Sequence, residues 1–351
     1  MILQEIREKI DLLDSRILRM LNKRMELALM AKKFKSRIED SDREKELLDR
    51  IRRNSPGLIN SEFIEKVFVE VLKESKKLQG LDHHLIAFQG EHGAYGEVAC
   101  REWRGDYVPV PCAEFSDVFE GVQSGTYDFG IVPVENSLGG IVGEVNELLI
   151  NMDLYVAGAI ELPICLCLLS LPGSDHREIR TVYSQSQVLA QCRQFITRNR
   201  LQPIPYSGAA AAARMLADEM PKATAVIASK LAAEIYNLEM IKEDIEDFNR
   251  NTTRFLVLSK REREEIGDKC SIIFSTEHKA GTLFGVLEIF ARENINLTRI
   301  GSVPGDKGDY VFFLDFLGSK KDDNVAEVLR DVQSITTYFR FLGSYKEKKV
   351  K

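Results

Sequence analysis

A chain of 351 residues exceeds one ordinary core and predicts two or three domains. Hydrophobic and charged contents of 44% and 29% are those of a globular protein, and a net charge of −6 argues against bulk nucleic-acid binding. No apolar run of about 18 residues predicts a membrane span, and the N-terminus lacks a signal-peptide layout, so the chain reads as cytoplasmic. Six cysteines without CxxC spacing and five histidines without HxxxH or HExxH spacing predict no metal.

The first 35 residues carry a heptad. Leu3, Ile10 and Ile17 alternate with Ile6, Leu13, Met20, Leu27 and Phe34, and neither Gly nor Pro interrupts them. This predicts one helix of about 50 Å with an apolar seam meant for another helix. A second helix is expected from Asp42 to Arg53, broken by Ser55-Pro56-Gly57. A third is expected from the N-cap pair Asn60-Ser61 to Leu78. Polar residues interrupt these apolar stripes. Arg24 takes the heptad position of Ile17, Lys35 follows three turns later, and Ser75 and Gln79 continue the stripe of Val67 and Val71. Four buried polar groups exceed what a coiled coil needs to fix its register, so they point to a polar ligand.

Residues 1–80 resemble the all-helical chorismate mutases, through Arg7, Arg24, Lys35, Asp40, Arg43-Glu44, Ser75 and Gln79. The resemblance implies a homodimer whose long first helices pair, with Arg7 reaching the partner's site. The implied reaction, chorismate to prephenate, needs no nucleophile. The protein holds a dianion in a compact shape and stabilises charge on the ether oxygen. Arg7, Arg24 and Arg43 would grip carboxylates, Lys35 and Gln79 would donate to the ether oxygen, and Glu44 would accept from the substrate hydroxyl. Asp40 and Ser75 would support them.

After Gly80 the pattern changes to short apolar strands, glycine turns and helices, which predicts two α/β lobes. Leu85-Ile86-Ala87-Phe88 enters a glycine loop, Gly90 to Gly96, whose backbone N–H groups suit an anion. The loop lacks the GxGxxG dinucleotide fingerprint, so no cofactor is predicted. Glu135-Asn136-Ser137 stand at the end of another strand, Leu162–Ser170 reads as a single strand, and Asn251-Thr252-Thr253-Arg254-Phe255 open a later one. Polar groups at strand mouths predict a cleft.

Residues 84–262 resemble a prephenate dehydratase domain with periplasmic-binding-protein-like lobes, the second at about 162–242. The resemblance rests on Gly90-x-x-Gly93-Ala94-Tyr95, Glu135-Asn136-Ser137, Gln187, Gln191-Cys192, Ile227-Ala228-Ser229 and Asn251-x-Thr253-Arg254-Phe255. It implies decarboxylation and dehydration of prephenate to phenylpyruvate. Thr253 would act on the leaving hydroxyl, Arg254 would position or bind carboxylate, and Glu135, Asn136, Ser137 and Asn251 would wall the cleft. Three departures fall on this set. Gly96 stands where the family has Ser, Gln185-Ser186 where it has His-Pro, and Gly208-Ala209 where it has a polar pair. They leave open arogenate as substrate, decarboxylation without aromatisation, or a silent binding module fused to the mutase.

Residues 270–347 follow a βαββαβ order, the ferredoxin-like α+β pattern. They resemble an ACT regulatory domain, which implies phenylalanine as effector. The matching turns read Gly281-Thr282-Leu283-Phe284 and Gly301-Ser302-Val303-Pro304, and Gly301 and Val303 depart from the family's charged pattern. Lys346–Lys351 read as a solvated basic tail. The order of the three resemblances predicts a bifunctional enzyme of phenylalanine biosynthesis, multidomain and without cofactor, acting on chorismate and then prephenate.

Overall fold

The computed structural model describes residues 3–53, 57–248, 250–263, 267–305 and 310–350. The Ser55-Pro56 break and Lys351 lie outside them. Three helices come first: α1 (Leu3–Lys32), α2 (Ser41–Arg53) and α3 (Ser61–Gly80). α1 ends just before Phe34 and Lys35. The amides of Lys33, Phe34 and Lys35 bond carbonyls three residues back, which tightens the chain and turns it. Asp40 then opens α2, its carboxylate accepting the Arg43 N–H at 3.1 Å. The Asn60 side chain does the same for α3, accepting from Glu62 at 2.8 Å.

The first lobe is built from β1 (Leu85–Gln89), α4 (Tyr95–Trp103), β2 (Val108–Cys112), α5 (Phe115–Ser124), β3 (Phe129–Asn136), β4 (Gly140–Ile141), α6 (Gly143–Asn151) and β5 (Tyr155–Pro163). β1 lies between β2 and β3, parallel to both. Its Leu85-Ile86-Ala87-Phe88 run is wholly buried, as a strand covered on both faces requires.

The chain then crosses to a second lobe: β6 (Cys167–Ser170), β7 (Thr181–Ser184), α7 (Ser186–Gln191), α8 (Arg193–Arg198), β8 (Gln202–Pro205), α9 (Ala209–Glu219), β9 (Thr224–Ala228), α10 (Lys230–Tyr236) and β10 (Glu239–Lys242). These strands form their own sheet in the order β10-β6-β9-β7-β8. The stretch Leu162–Ser170 is therefore not one strand. It breaks after Pro163, and its two pieces serve different sheets. β11 (Thr252–Ser259) returns to the first sheet between β3 and β5. The two crossovers touch where the Ile164 N–H donates to the Asn251 carbonyl at 2.8 Å.

The last unit contains β12 (Lys269–Ser275), α11 (Thr282–Arg292), β13 (Leu297–Pro304), β14 (Tyr310–Leu317), α12 (Asp323–Ile335) and β15 (Tyr338–Tyr345). Its antiparallel sheet runs β13-β14-β12-β15, with both helices packed over a core around Phe274, Phe290 and Phe316. Residues 301–304 do not form a turn here; they lie within β13. The basic end of the chain is not a solvated tail either. Glu347–Lys349 form β16, a parallel strand added to the first lobe beside β5. Its ion pairs hold it there: Lys348 and Lys349 pair with Glu102 and Glu161, while Glu347 turns inward to Arg254.

Candidate active sites

Two cavities carry most of the polar residues singled out above. The first, about 510 Å³, lies among α1, α2, α3 and the turn after α1. Arg24, Lys35, Asp40, Arg43, Glu44, Ser75 and Gln79 all line it. So do Arg50 and Lys76, which sequence reasoning missed. Both were readable from periodicity: Arg50 follows Arg43 and Leu47 on one face of α2, and Lys76 lies between Leu72 and Gln79 on α3. Five cations thus face two carboxylates, a balance suited to a dianion. Arg7 is exposed and does not line this cavity in its own chain.

The geometry separates gripping from supporting groups. Arg24 Nη1 is buried without a hydrogen-bond partner among the described residues, and burial pushes its pKa down. A buried N–H of a guanidinium with no acceptor is costly, and an anion in the cavity would satisfy it. Lys76 Nζ lies 3.1 Å from Glu44. Lys35 Nζ lies 4.0 Å from Asp40, a longer pair that leaves the ammonium available. The Gln79 amide donates to the Ala28 carbonyl at 2.7 Å, which fixes the side chain and keeps a second N–H for a ligand. Arg43 pairs outward with Glu46 at 2.5 Å.

The second cavity, about 830 Å³, is the cleft between the two lobes. Gly90, Tyr95 and Gly96 line it from one side, and Gln185, Gln187, Gly208 and Ala209 from the other. Asn136, Asn251, Thr253 and Phe255 line its floor. Asn136 is the hub. Its Nδ2 donates to Asn251 Oδ1 and to Thr253 Oγ1, both at 2.8 Å, and its Oδ1 accepts the Leu138 and Gly139 N–H groups. Asn251 in turn donates to Gln191 at 3.1 Å. Because Thr253 Oγ1 accepts from Asn136, its own hydrogen is directed elsewhere, as a donor to a ligand requires. Across the cleft the Gln187 amide sits against Gly139, and a β-carbon there would have to push it aside.

Arg254, Glu135 and Ser137 do not line this cleft. Neighbouring residues on a strand face opposite sides, so placing Thr253 on the floor turns Arg254 away. Arg254 is buried behind the sheet, donating to Asp315 at 2.6 Å, Glu347 at 2.5 Å and the Tyr345 hydroxyl at 3.0 Å. Burial opposes its charge, but Asp315, Tyr345 and Glu347 outweigh that and hold its pKa above the usual arginine value. Glu135 faces the same way and pairs with Arg299 of β13 at 3.1 Å. Ser137 accepts the Thr252 N–H and donates to the Arg250 carbonyl, fastening the β3–β4 hairpin to the start of β11.

Among the described residues that line the cleft, none is a lysine or arginine. Three helices instead begin at it without a side-chain cap: α4 after Ala94, α7 after Gln185 and α9 after Gly208. Uncapped first turns leave backbone N–H groups for an anion. Of the departures noted above, Gly96, Gln185, Gly208 and Ala209 line the cleft and Ser186 does not. One group of potential metal ligands occurs among the described residues, Cys165, Asp244 and Glu246. Internal bonds account for it, since the thiol donates to Asp244 and Glu246 accepts the Leu166 N–H.

The regulatory residues proposed from sequence lie on separate elements. Gly281, with φ 89°, and Thr282 and Leu283 open α11, and the Thr282 hydroxyl donates to the Glu277 carbonyl at 2.9 Å. Gly301 and Ser302 lie on β13, where Gly301 packs against Ile141 of the cleft.

A cationic pocket among helices and a two-lobed cleft walled by helix N-termini define an enzyme that handles small anions at two separate sites. Residues 6–80 match the family model of chorismate mutase type II, and residues 86–263 match that of prephenate dehydratase. A bifunctional chorismate mutase/prephenate dehydratase of Aquifex aeolicus (strain VF5) is 34% identical over 362 residues, covering 98% of this chain and 97% of the relative. An arogenate dehydratase/prephenate dehydratase of Arabidopsis thaliana is 38% identical over 277 residues, covering 74% of this chain and 72% of the relative. The solved prephenate dehydratase of Arthrobacter aurescens in complex with L-Phe superposes with a TM-score of 0.68 at 30% identity, covering 75% of this chain and 89% of that one. The chain belongs to the bifunctional chorismate mutase/prephenate dehydratase family. It converts chorismate to prephenate and prephenate to phenylpyruvate, with loss of carbon dioxide and water, in phenylalanine biosynthesis.

Proposed function

We propose that the helical cavity performs the mutase step and the interlobe cleft the dehydratase step. The opposite electrostatic make-up of the two cavities carries this reading: one is lined by five cations, the other by uncapped helix ends. In the mutase cavity Arg24 and Arg43, with Arg50, grip the substrate carboxylates. Lys35 and Gln79 donate to the ether oxygen as its charge grows, and Glu44 accepts from the hydroxyl. Asp40 and Ser75 hold the turn and the wall. Arg7 completes the partner's site in a homodimer. The exposed seam of α1 supports that pairing, with Ile10 50%, Leu13 54% and Ile17 57% accessible.

In the cleft the first turns of α4, α7 and α9 hold prephenate's carboxylates. Thr253 donates to the leaving hydroxyl, oriented by Asn136, Asn251 and Gln191. The ring carboxylate leaves as carbon dioxide, its bonding electrons enter the ring, and the hydroxyl departs as water. Aromatisation drives the step. Arogenate differs from prephenate in its side chain, and the Arabidopsis relative's name pairs both substrates; prephenate, which this chain makes itself, is the substrate favoured here.

The C-terminal unit reads as an ACT regulatory domain with phenylalanine as effector. Binding near Gly281, Thr282, Leu283, Gly301 and Ser302 would reach the cleft through Gly301 on Ile141. The six cysteines are free thiols, which suits a reducing, cytoplasmic setting.

Separate loss of the two steps tests the assignment. Lys35→Ala should lower mutase turnover by about 100-fold or more while prephenate dehydration survives. Thr253→Val should do the reverse, so that prephenate accumulates when chorismate is supplied, with a loss of about 100-fold. Following chorismate, prephenate and phenylpyruvate separately, with and without phenylalanine, reads all three sites. Normal turnover in either variant would sink the corresponding assignment.

A further inference from the structure

The glycine loop that walls the cleft is tied to the mutase helix through one side chain. Gly90 and Gly93 take φ of 113° and 85°, so the loop backbone is permissive and needs pins to hold one shape. The pins converge on residues 92 and 93. Glu97 of α4 is fully buried, accepting the Gly93 N–H at 2.8 Å and the Arg101 guanidinium at 2.6 Å. His92 Nδ1 hydrogen-bonds Glu97 at 3.1 Å, and its Nε2 lies 3.0 Å from Glu26 of α1, an ion-pair contact without hydrogen-bond alignment. The His92 carbonyl accepts the Tyr236 hydroxyl at 3.0 Å, and the Gly93 carbonyl accepts the Ser229 hydroxyl at 2.5 Å. Gly93 itself packs on Ala232, where a β-carbon would come within 2.7 Å of the backbone.

We propose that His92, clamped between Glu26 of the mutase helix and Glu97 of the first lobe, is a positioning residue for the dehydratase reaction. Glu26 belongs to the mutase helix in sequence but acts on the other site. It lies outside the lining of the mutase cavity, although Arg24 and Leu27 on the same helix line that cavity. Through His92 it fixes the loop that carries Gly90, Tyr95 and the first turn of α4 against the substrate. An error of about 1 Å in that turn would cost turnover without touching any reacting atom.

The charge state follows from the surroundings. Burial lowers the pKa of His92, but Glu26 and Glu97 outweigh it and raise it to about 9. The other groups at the junction are Lys23, 3.5 Å from Glu26, Arg101 on Glu97, and Tyr236, whose ring lies under Arg19. Arg214 neutralises the adjacent Glu91 at 2.9 Å. A raised histidine pKa gives a contribution that is full below the unperturbed value of about 6.5 and is lost as pH rises through about 9. The loop is therefore pinned at neutral pH and released in alkali.

The inference rests on the cleft being the dehydratase site. The experiment uses the full chain, and measures kcat/KM for prephenate dehydration from about pH 6 to about pH 10, with mutase turnover assayed on the same samples. Wild type should lose dehydratase kcat/KM through about pH 9. Glu26→Gln should move that fall down by about one unit or more and lower kcat/KM by about 10-fold near pH 8. His92→Gln, neutral at every pH, should show a low plateau with no such fall, and mutase turnover should stay within about 2-fold in both variants. A Glu26→Gln profile that overlays wild type overturns the proposal, as does equal loss of both activities. Failure of the cleft assignment would show differently, as unchanged dehydration in Thr253→Val.

Discussion

Thr253 and Arg254 are neighbours in sequence and serve different parts of the molecule. Thr253 stands on the cleft floor, while Arg254 holds Asp315 and Glu347 behind the sheet. Ser271 and Tyr345 complete that cluster, bonded to each other at 2.5 Å, and Ser271 also donates to Asp315. Lys269 shares Glu347 at 2.7 Å. Removing the arginine would leave two carboxylates buried with a single compensating lysine. Arg254→Ala should therefore destabilise the fold by about 3–5 kcal/mol, read as a lower urea midpoint. A change below about 1 kcal/mol would show that solvent reaches the cluster. The two-residue period of a strand was enough to separate Thr253 from Arg254 on paper. What the sequence could not show was the partner set, since Asp315, Tyr345 and Glu347 lie 61 to 93 positions away.

At the scale of elements, the mutase cavity was legible and the cleft only partly so. Arg24, Lys35, Ser75 and Gln79 stood out because a charged or polar side chain on an apolar helical stripe violates the local pattern. The cleft offers main-chain donors at uncapped helix starts, and a main-chain donor has no letter. The family's polar pair is Gly208-Ala209 here, and it reads as a loss. Yet α9 begins at the cleft with nothing capping it, so the same change leaves N–H groups available to an anion. Proline offers a direct test, because it is tolerated at the first helical position while deleting one N–H. Gly208 already has the extended conformation that precedes a proline, with φ −168° and ψ 157°. Ala209→Pro should raise KM for prephenate by about 10-fold, the effect of one lost hydrogen bond to a charged group, with helix content and mutase turnover unchanged. An unaltered KM would remove α9 from the binding site. β16 escaped notice for another reason. A three-residue basic strand has no periodicity to detect, and only the inward ion pair of Glu347 identifies it.

At the scale of the whole molecule, α1 is used on more than one side. Arg24 and Leu27 line the mutase cavity, and the apolar seam of Ile10, Leu13 and Ile17 is open. Elsewhere it meets both lobes: Arg19 bonds Asp218 of α9 at 2.7 Å, Glu26 meets His92, and Lys33, the residue after its end, bonds Asp128 at 2.8 Å. Leu29 is buried in the same core as Leu85 and Val132. The open seam predicts self-association. Ile10→Lys with Ile17→Lys should sediment as a monomer and lose mutase turnover, because Arg7 no longer reaches a second site, while prephenate dehydration persists. Retention of the wild-type sedimentation coefficient would place the contact elsewhere.

The docking of α1 also bears on whether the two enzymes are separable. The link between α3 and β1 is only Leu81 to His84, and it looks like a natural seam for splitting one gene into two. A dehydratase cut there would uncover the core around Leu85, strand Asp128 and Asp218 without their cations, and leave His92 with one carboxylate instead of two. The mutase half would lose its mooring in turn. In this chain, fission would need compensating changes on both fragments, so the fusion is held by surface chemistry as well as by the peptide bond.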